Sequence, residues 1–502
     1  MATRERSGSS QVGASTFDVR NPATGAVVGT YPIHTAAEVD EAVAHAHQGA
    51  VWWEALGFRE RARRLNAWRA EIAWGREELA QLMRQEMGKP ISDAKLEIAM
   101  ALEHLAWAAA NAEQVLGRRS VAPSLLTLNQ ACAVEYRPFG VVGVIGPWNY
   151  PVFTPLGSIS FALAAGNAVV FKPSEFTPGV GKWLVAAFAR AVPEQPVLQA
   201  ITGFGETGAA LCRADIGKIG FTGSAATGKK VMAACAENLT PVLMELGGKD
   251  ALIVDADADV DAAADAAVWG GMSNAGQTCL GVERVYVHTD VYEEFLIELR
   301  ALAMRLRAGT GAAKIGPVTM PKQLDIIRGH MKDALSRGGR AVLGGLDSID
   351  GHFVQPTILV DVPEDSAAVT EETFGPTLTV TRVRDMDEAL ERVNASTYGL
   401  GGTVFSRRNG RAIADRIRAG GVSVNAFVAH ATIPSLPLGG VGGSGFGRVH
   451  GPEGLKEFAY AKSTTQQRFP SPLALTTFTR TETVDRIVDL LVSVLHGRKA
   501  RR

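Results

Sequence analysis

The sequence predicts an α/β fold with two lobes, each built on a parallel sheet. Between about Val134 and Val254, short β-branched runs alternate with helical segments, which is the pattern of successive βαβ units. A second alternation of the same kind runs from Asp259 to about Asn425. Upstream, Glu38 to Leu116 is nearly continuous amphipathic helix, which predicts a layer over one face of the first sheet. We therefore expect a ligand and its chemistry in the crevice between two such lobes.

Each element of the two alternations has a local signal. The first alternation contains the strand-like runs VVGVI, AVVF, VLQAI, KIGF and ALIV, separated by helical segments such as PGVGKWLVAAFARA and AATGKKVMAACAEN. In the second, RVYVHTD is followed by a helix through EEFLIELRALAMRL, and TLTVTRV is followed by the helical DMDEALERVN. RAVLGG lies between these two units as a further strand.

Composition and charge exclude several classes of function. The 502 residues carry 51 basic and 52 acidic side chains, a net charge of -1, so the bulk charge offers no footprint for nucleic acid. The chain has four scattered cysteines: Cys132, Cys212, Cys235 and Cys279. They are too few for a disulfide framework, and no C-x-x-C pair among them suggests a zinc site. We expect a folded protein in a reducing, cytoplasmic compartment without a nucleic-acid partner.

The stretch from Pro138 to Phe171 has no charged residue and is long enough to be weighed as a membrane span. It is interrupted by three prolines and two asparagines: Pro147, Asn149, Pro151, Pro155 and Asn167. Prolines at this density break a helix, and the polar groups would be unsatisfied in lipid. The stretch therefore predicts buried strand, loop and helix.

Two glycine-rich loops compete as phosphate-binding motifs. Gly203 to Gly208 forms a G-x-G-x-x-G after a predicted strand, which is equally typical of a glycine turn at a helix start. Gly223 to Lys230 matches a P-loop at both glycines and at Lys229. Lys230 stands where a P-loop needs a hydroxyl for magnesium. Asp255, which follows a strand, could imitate the acidic partner motif of a nucleotide-hydrolysing enzyme. Because the magnesium ligand is missing, such an enzyme is nevertheless disfavoured.

Three polar residues lie in apolar or glycine-rich surroundings where burial without a partner would be costly. They are Asn149 in GPWNYP, Glu245 in LMELGGK and Cys279 in NAGQTCLG. Together they could supply an oxyanion donor, a general base and a nucleophile. Equally, the cysteine could be an inert core residue and the glutamate solvated, because sequence spacing alone does not bring the three together.

From about Phe17 to Phe469 the chain resembles the NAD(P)-dependent aldehyde dehydrogenases. The resemblance is carried by seven segments in order: PFGVVGVIGPWNYP, AGNAVVFKPSE, FTGSAATGKKV, MELGGKDALIV, NAGQTCLGVERVYV, EETFGPTLTV and PLGGVGGSGFGRVHGPEGL. It implies an aldehyde-dehydrogenase-like α/β fold with two Rossmann-like lobes and a small β oligomerisation element. It also implies a catalytic cycle without a metal.

The resemblance implies roles for the residues at matching positions. Cys279 corresponds to the nucleophile, Glu245 to the general base and Asn149 to the side-chain donor of the oxyanion hole. The expected cofactor contacts are Trp148, Lys172, Glu175, Gly223, Ser224, Gly228, Glu372 and Phe374. Because Glu175 suits a ribose hydroxyl better than a phosphate, NAD is favoured, with NADP possible.

The implied reaction is oxidation of an aldehyde to the carboxylic acid through a thiohemiacetal and a thioester on Cys279. Many relatives carry a second glutamate where this chain has Val449, which puts in doubt any proton relay at that position. The expected aldehyde tunnel is largely apolar: Tyr150, Phe153, Thr154, Gly157, Met272 and Phe427 to Ile433. Aromatic or medium-chain aliphatic aldehydes are therefore favoured. The alternatives are a succinate-semialdehyde-type dehydrogenase and a catalytically silent NAD-binding structural protein.

The predicted organisation has five parts. Residues 1–16 form a disordered arm, residues 17–118 and 138–247 the NAD-binding domain, and residues 248–446 the catalytic domain. Residues 119–137 and 459–469 resemble strands that pair subunits into a homodimer or homotetramer. Residues 470–502 form an amphipathic tail, whose apolar stripe docks on its own oligomer or, less favoured, on a membrane surface: Val484, Ile487, Val488, Leu491, Val492 and Leu495.

Overall fold

The computed structural model describes residues 15–471, 473 and 475–497. The strands are β1 (Thr16–Arg20), β2 (Val27–Pro32), β3 (Arg119–Val121), β4 (Gln130–Pro138), β5 (Val141–Ile145), β6 (Ala168–Lys172), β7 (Leu198–Ala200), β8 (Lys218–Thr222), β9 (Val242–Glu245), β10 (Asp250–Val254), β11 (Val282–His288), β12 (Arg340–Leu343), β13 (Ile349–Asp350), β14 (Phe353–Val354), β15 (Thr357–Val360), β16 (Thr377–Val383), β17 (Gly401–Phe405), β18 (Gly421–Val424), β19 (Gly445–Phe446) and β20 (Ala459–Gln467).

The helices are α1 (Ala36–Ala55), α2 (Gly57–Trp74), α3 (Arg76–Met87), α4 (Ile91–Leu116), α5 (Phe153–Ala165), α6 (Pro178–Ala191), α7 (Gly205–Arg213), α8 (Ala225–Ala236), α9 (Val260–Met272), α10 (Tyr292–Ala303), α11 (Pro321–Ser336), α12 (Ala367–Thr370), α13 (Met386–Asn394), α14 (Gly410–Ala414), α15 (Ala429–Thr432), α16 (Gly451–Glu457) and α17 (Glu482–His496). The predicted helical region is therefore confirmed as four consecutive helices, α1 to α4. Thr35 caps the first of them: its hydroxyl accepts from the Glu38 N–H at 3.3 Å, while the Glu38 carboxylate accepts from the Thr35 N–H at 2.7 Å.

The chain divides into two compact units. The first covers Met1–Leu116 and Pro138–Tyr460, and the second covers Gly117–Arg137 and Ala461–Arg502. The predicted arm, residues 1–16, lies outside the described residues except for Ser15 and Thr16, and Thr16 begins β1.

The first unit contains a six-stranded sheet with the order β19-β9-β8-β5-β6-β7. Neighbouring strands of this sheet run parallel to each other, except that β19 pairs antiparallel with β9. Apolar residues of β5, β6 and β8 are buried, as expected of strands covered on both faces. Pro138 to Phe171 forms β5, α5 and β6, so the prediction of buried strand, loop and helix is confirmed.

A second sheet in the same unit has seven strands in the order β12-β15-β16-β11-β10-β17-β18. It is parallel except for β12, which pairs antiparallel with β15. The run ALIV belongs to this sheet as part of β10, although its pattern placed it at the end of the first alternation. The predicted catalytic domain begins at residue 248 and so includes this run, but its pattern alone did not show the pairing, because local alternation identifies a strand but not the neighbours it pairs with. The two-lobed α/β fold itself is confirmed.

The second unit contains a three-stranded sheet in the order β20-β4-β3 and the helix α17. All three residues of β3 and most of β20 are exposed. Helix α17 spans the predicted apolar stripe, and none of its residues is fully buried. The basic residues that follow the stripe, at 498, 499, 501 and 502, lie outside the described part of the chain.

Candidate active site and cofactor crevice

The predicted site residues of the first lobe lie where parallel strands end. In the six-stranded sheet, β5 and β8 are neighbours. The strand order runs outward from β5 to β6 and β7 on one side, and from β8 to β9 on the other. A crevice forms outside the carboxyl ends of strands at such a point. The residues that follow or end these strands are Trp148 and Asn149 after β5, Lys172 and Glu175 at β6, Gly223 and Ser224 after β8, and Glu245 at the end of β9.

Cys279 lies in a strained loop between α9 and β11. Asn274 and Ala275 have φ values of 52° and 58°, a left-handed conformation that costs a non-glycine residue about 1–3 kcal/mol. The Gln277 side chain supports the loop, because Nε2 donates to the Asn274 carbonyl at 2.9 Å and Oε1 accepts from the Thr319 N–H at 2.8 Å. The strain is therefore held by hydrogen bonds just before the cysteine.

Asn149 is buried and connected to this loop. Its Nδ2 donates to the carbonyl of Gln277 at 3.0 Å, two residues before Cys279. Its own carbonyl accepts from Lys89 Nζ at 2.8 Å and from Asn274 Nδ2 at 3.0 Å. The structure thus brings the Asn149 amide beside the segment that carries Cys279.

Glu245 is buried and its Oε1 has no hydrogen-bond partner among the described residues. Burial raises the pKa of this carboxyl to about 8; Arg448 opposes the shift and Glu457 adds to it. A carboxyl with this pKa exchanges a proton near neutral pH, which is the property a general base requires.

Burial also raises the pKa of the Cys279 thiol, to about 12, and the carboxyls of Glu372, Glu245 and Asp250 add to the shift. In the structure described, the cysteine is therefore a thiol at neutral pH. A base must take its proton before the sulfur can act as a nucleophile.

Glu372 and Phe374 are presented by a second supported loop. Glu372 Oε1 accepts from the Gly248 N–H at 3.0 Å, and burial raises the pKa of this carboxyl to about 8. Phe374 has a φ of 50°, and its ring meets Trp148 edge to face with centroids 5.7 Å apart. Glu283 accepts from the N–H groups of Thr373 and Phe374 at 2.8 and 2.9 Å.

The near-P-loop forms the turn from β8 into α8. Ser224 caps α8, with its hydroxyl accepting from the Thr227 N–H at 3.3 Å. Gly228 lies against Leu246, because a β-carbon there would be 2.8 Å from Leu246 Cδ2. This glycine-lined helix start suits the diphosphate of a dinucleotide. The competing G-x-G-x-x-G lies at the start of α7.

Cys279 and Glu245 line one cavity of about 260 Å³ in the first unit. Of the expected tunnel residues, Tyr150, Phe153, Thr154 and part of the loop Phe427 to Ile433 line it. Met272 is instead buried in a core cluster of the second lobe. The eight expected cofactor residues are not part of this lining. They lie at the strand ends, at the start of α8 and on the Glu372 loop.

Two buried ion pairs at the site escaped the sequence analysis. Lys89 pairs with Glu97, whose other oxygen accepts from the Val152 and Phe153 N–H groups at 2.8 and 3.0 Å. Lys249 pairs with Glu283 Oε2, which also accepts from the Thr373 N–H, while Glu283 Oε1 accepts from the Phe374 N–H. A glutamate inside the apolar strand GVERVYV was a usable signal, because buried charge requires a partner. Lys89 and Glu97 carried no such signal, since each lies in an ordinary polar segment.

Other chemistries have no support in the described part of the chain. Across residues 15–471, 473 and 475–497, no group of three or more His, Cys, Asp or Glu side chains could hold a metal ion. None of the described helices is long and apolar enough to cross a membrane. All four cysteines are free.

Two parallel sheets with a dinucleotide-type turn, and a cysteine and a glutamate lining one cavity, define the class of protein as an α/β oxidoreductase. The chain belongs to the aldehyde dehydrogenase family, whose sequence model matches residues 9–464. Members of this family are NAD(P)-dependent enzymes that oxidise aldehydes. The predicted family and class of enzyme are thus confirmed.

Individual relatives agree with this assignment. The chain is 36% identical to 4,4'-diapolycopene aldehyde oxidase of Methylomonas sp., over 91% of this chain and 87% of the relative. It is 35% identical to glutarate-semialdehyde dehydrogenase of Pseudomonas putida, over 89% and 93%. The solved structure of PnpE from a Pseudomonas strain, in complex with nicotinamide adenine dinucleotide, matches with a TM-score of 0.87 at 33% identity, over 93% and 96%.

Replacing Lys89 tests the buried pair that supports Asn149. Lys89→Met leaves Glu97 buried without its counter-charge, so the free energy of unfolding should fall by about 3–5 kcal/mol in chemical denaturation. Arg340→Met is the matched control, because it breaks the exposed pair with Asp361 and should cost less than about 1 kcal/mol. Equal losses in the two variants would contradict a special role for the buried pair.

Proposed function

We propose that this enzyme oxidises a largely apolar aldehyde to the carboxylic acid through covalent intermediates on Cys279. The observation that carries the proposal is that Cys279 and Glu245 line the same cavity, with the Asn149 amide bonded to the loop of the cysteine. A catalytically silent NAD-binding protein would not need this arrangement of nucleophile, base and donor.

In the first step, Glu245 takes the proton of the Cys279 thiol and the sulfur adds to the aldehyde carbon. The resulting oxyanion is stabilised by Asn149 Nδ2, which exchanges its bond to the Gln277 carbonyl for one to the new oxygen. One such donor is typically worth about 3–4 kcal/mol in the transition state. Asn149 thus acts mainly while negative charge develops on the substrate.

When bound, a nicotinamide dinucleotide would supply the oxidation as a hydride acceptor. Cys279 would then hold the acyl group as a thioester. Glu245 first releases the thiol proton to solvent, and its carboxylate then takes a proton from a water molecule, whose oxygen attacks the thioester carbon and expels the Cys279 thiolate. The acid leaves, and the proton returns from Glu245 to Cys279. One glutamate therefore serves as base in both half-reactions.

For the cofactor, we propose that Lys172 and Glu175 hold the adenosine ribose and that Glu372 holds the nicotinamide ribose. Gly223, Ser224 and Gly228 form the turn for the diphosphate, and the Trp148–Phe374 pair flanks the nicotinamide ring. NAD is preferred, because the Glu175 carboxylate accepts from a ribose hydroxyl and repels a 2'-phosphate. The solved PnpE structure contains NAD, whereas relatives at 34% identity are named for NADP, so NADP use stays the alternative to this proposal.

For the substrate, the cavity lining favours an uncharged apolar body such as an aromatic or medium-chain aliphatic aldehyde. Among the described residues that line it there is no arginine, Lys89 is paired with Glu97, and Asp93 would repel a second carboxylate. The relative named for 4,4'-diapolycopene aldehyde is consistent with an apolar substrate. A semialdehyde is the second candidate, and the names of the relatives favour it: those at 34–35% identity include glutarate- and succinate-semialdehyde dehydrogenases, and a solved structure at 32% identity is named as a succinate-semialdehyde dehydrogenase.

The direct test is NADH formation by the purified enzyme with benzaldehyde, hexanal and succinate semialdehyde, repeated with NADP. Cys279→Ser should abolish turnover, because a hydroxyl is a far weaker nucleophile than a thiolate, while NAD binding measured by calorimetry remains. Cys132→Ser is the matched control and should keep full activity. NAD binding without turnover of any aldehyde by the unmodified enzyme would favour the silent-protein alternative.

The raised pKa of Glu245 predicts the pH dependence of the reaction. With a pKa of about 8 the carboxyl is mostly protonated at pH 7, so the fraction acting as base grows about tenfold per unit below the pKa. The rate should therefore rise from pH 6 to about pH 8 and then level. Steady-state kinetics of Glu245→Gln should show a low rate without this rise. A rise that persists in Glu245→Gln would assign it to another group.

We also propose that the enzyme is a homodimer or homotetramer that pairs through the exposed strands of the second unit. Strand β20 is largely exposed over nine residues, and exposed edges are usually paired or covered. The apolar stripe of α17 is proposed to dock within the same oligomer. Light scattering at micromolar concentration should give two or four times the chain mass of 53.1 kDa. A monomer under these conditions would refute the proposal.

A further inference from the structure

Two buried histidines contact each other beside the catalytic cavity, and His450 is the one that lines it. His104 lies on α4 and His450 just before α16, each with 1% of its surface exposed. Their ring centroids are 3.8 Å apart. Nδ1 of His450 lacks a hydrogen-bond partner among the described residues, whereas the Thr432 backbone acts on His104 as a hydrogen-bond partner. Leaving a buried polar group unpaired is costly, so His450 calls for a polar ligand.

His450 faces the cavity from a strained backbone. It belongs to the lining together with Cys279 and Glu245. Its φ of 62° and ψ of 167° fall in a region that is essentially reserved for glycine. The conformation is held on both sides, because Val449 pairs with Leu438 and the His450 carbonyl accepts from the Gly454 N–H at 2.8 Å. Strain of this kind concentrates at functional sites.

Gly157 on α5 provides the space for the imidazole. A β-carbon at Gly157 would lie 2.7 Å from His450 Nε2, closer than any real contact, so another residue there would displace the ring. Phe153 packs edge to face against both histidines, with centroid distances of 5.1 and 5.5 Å. The polar imidazole edge of His450 is thus surrounded by aromatic and apolar groups.

The chemistry of the pair suits an uncharged ligand. Burial lowers the pKa of His104 to about 4, and burial together with His104 lowers the pKa of His450, so both rings are neutral at pH 7. A neutral imidazole has one donor and one acceptor nitrogen, which matches a hydroxyl group that both donates and accepts. A carboxylate would gain no counter-charge here and would meet Asp93 in the same cavity.

We propose that His450, supported by His104, is a specificity-determining residue that hydrogen-bonds a hydroxyl group on the body of the aldehyde. The substrate class is then an apolar, hydroxyl-bearing aldehyde such as a hydroxylated aromatic aldehyde. This inference rests on the proposed aldehyde oxidation and adds to it the position of a second polar contact, remote from the reacting carbon.

The test compares kcat/KM for benzaldehyde with that for 2-, 3- and 4-hydroxybenzaldehyde, which differ from it by one hydroxyl. The unmodified enzyme should prefer at least one hydroxylated isomer by tenfold or more, because a site that pairs a substrate hydroxyl discriminates against the analogue without it. In His450→Leu this ratio should fall to near one. His352→Leu, at a histidine bonded to the Val318 carbonyl, is the matched control and should keep the ratio.

Further variants guard against misfolding of His450→Leu, with thermal unfolding and NAD binding measured for each. His450→Asn keeps a polar group in place of the imidazole, and Gly157→Ala displaces the ring without altering the histidine. Both should reduce the ratio. A ratio near one in the unmodified enzyme, or an unchanged ratio in the variants, overturns the inference. A His450-dependent preference for succinate semialdehyde over benzaldehyde also overturns it, in favour of a carboxylate contact. Absence of turnover with every aldehyde would instead count against the proposed function.

Discussion

The site depends above all on the removal of water from the ionisable groups around Cys279. Burial is the largest cause of the raised pKa of Cys279, Glu245 and Glu372 alike. Because each group favours its neutral form, the thiol and both carboxyls coexist in a small space without strong mutual repulsion. Each ionisation then raises the cost of the next, so protons move through the site one at a time. The cavity wall that excludes water is therefore part of the chemistry.

Two buried lysine–glutamate pairs hold the backbone on either side of that site. Glu97 accepts from two N–H groups at the start of α5, and its partner Lys89 donates to the Asn149 carbonyl. Glu283 does the same for the loop of Glu372 and Phe374, and its partner Lys249 donates to the Thr373 hydroxyl. Each carboxylate thus satisfies loop amides as well as a lysine. Buried charges of this kind serve placement better than they serve stability.

Much of the fold and the candidate site could be predicted from local sequence. The alternating β-branched runs predicted the strands of both lobes. The position of Glu245, Asn149 and Cys279 in apolar or glycine-rich segments marked each as a candidate, while spacing alone did not bring them together. The sheet that the run ALIV joins was not given by its pattern, since strand pairing is a long-range property. Lys89 was missed because its partners, Glu97 and the Asn149 carbonyl, are eight and sixty residues away.

The sequence by itself determined the element types, the family and the candidate residues for the chemistry, because these depend on side-chain type, period and local motif. Only the tertiary structure decided the protonation of Cys279 and Glu245 and the pairing of His104 with His450. A pKa depends on how much water and charge surround a group, and a ring contact depends on segments far apart in the chain. Both arise only when α4, α5 and the turn before α16 pack around one cavity.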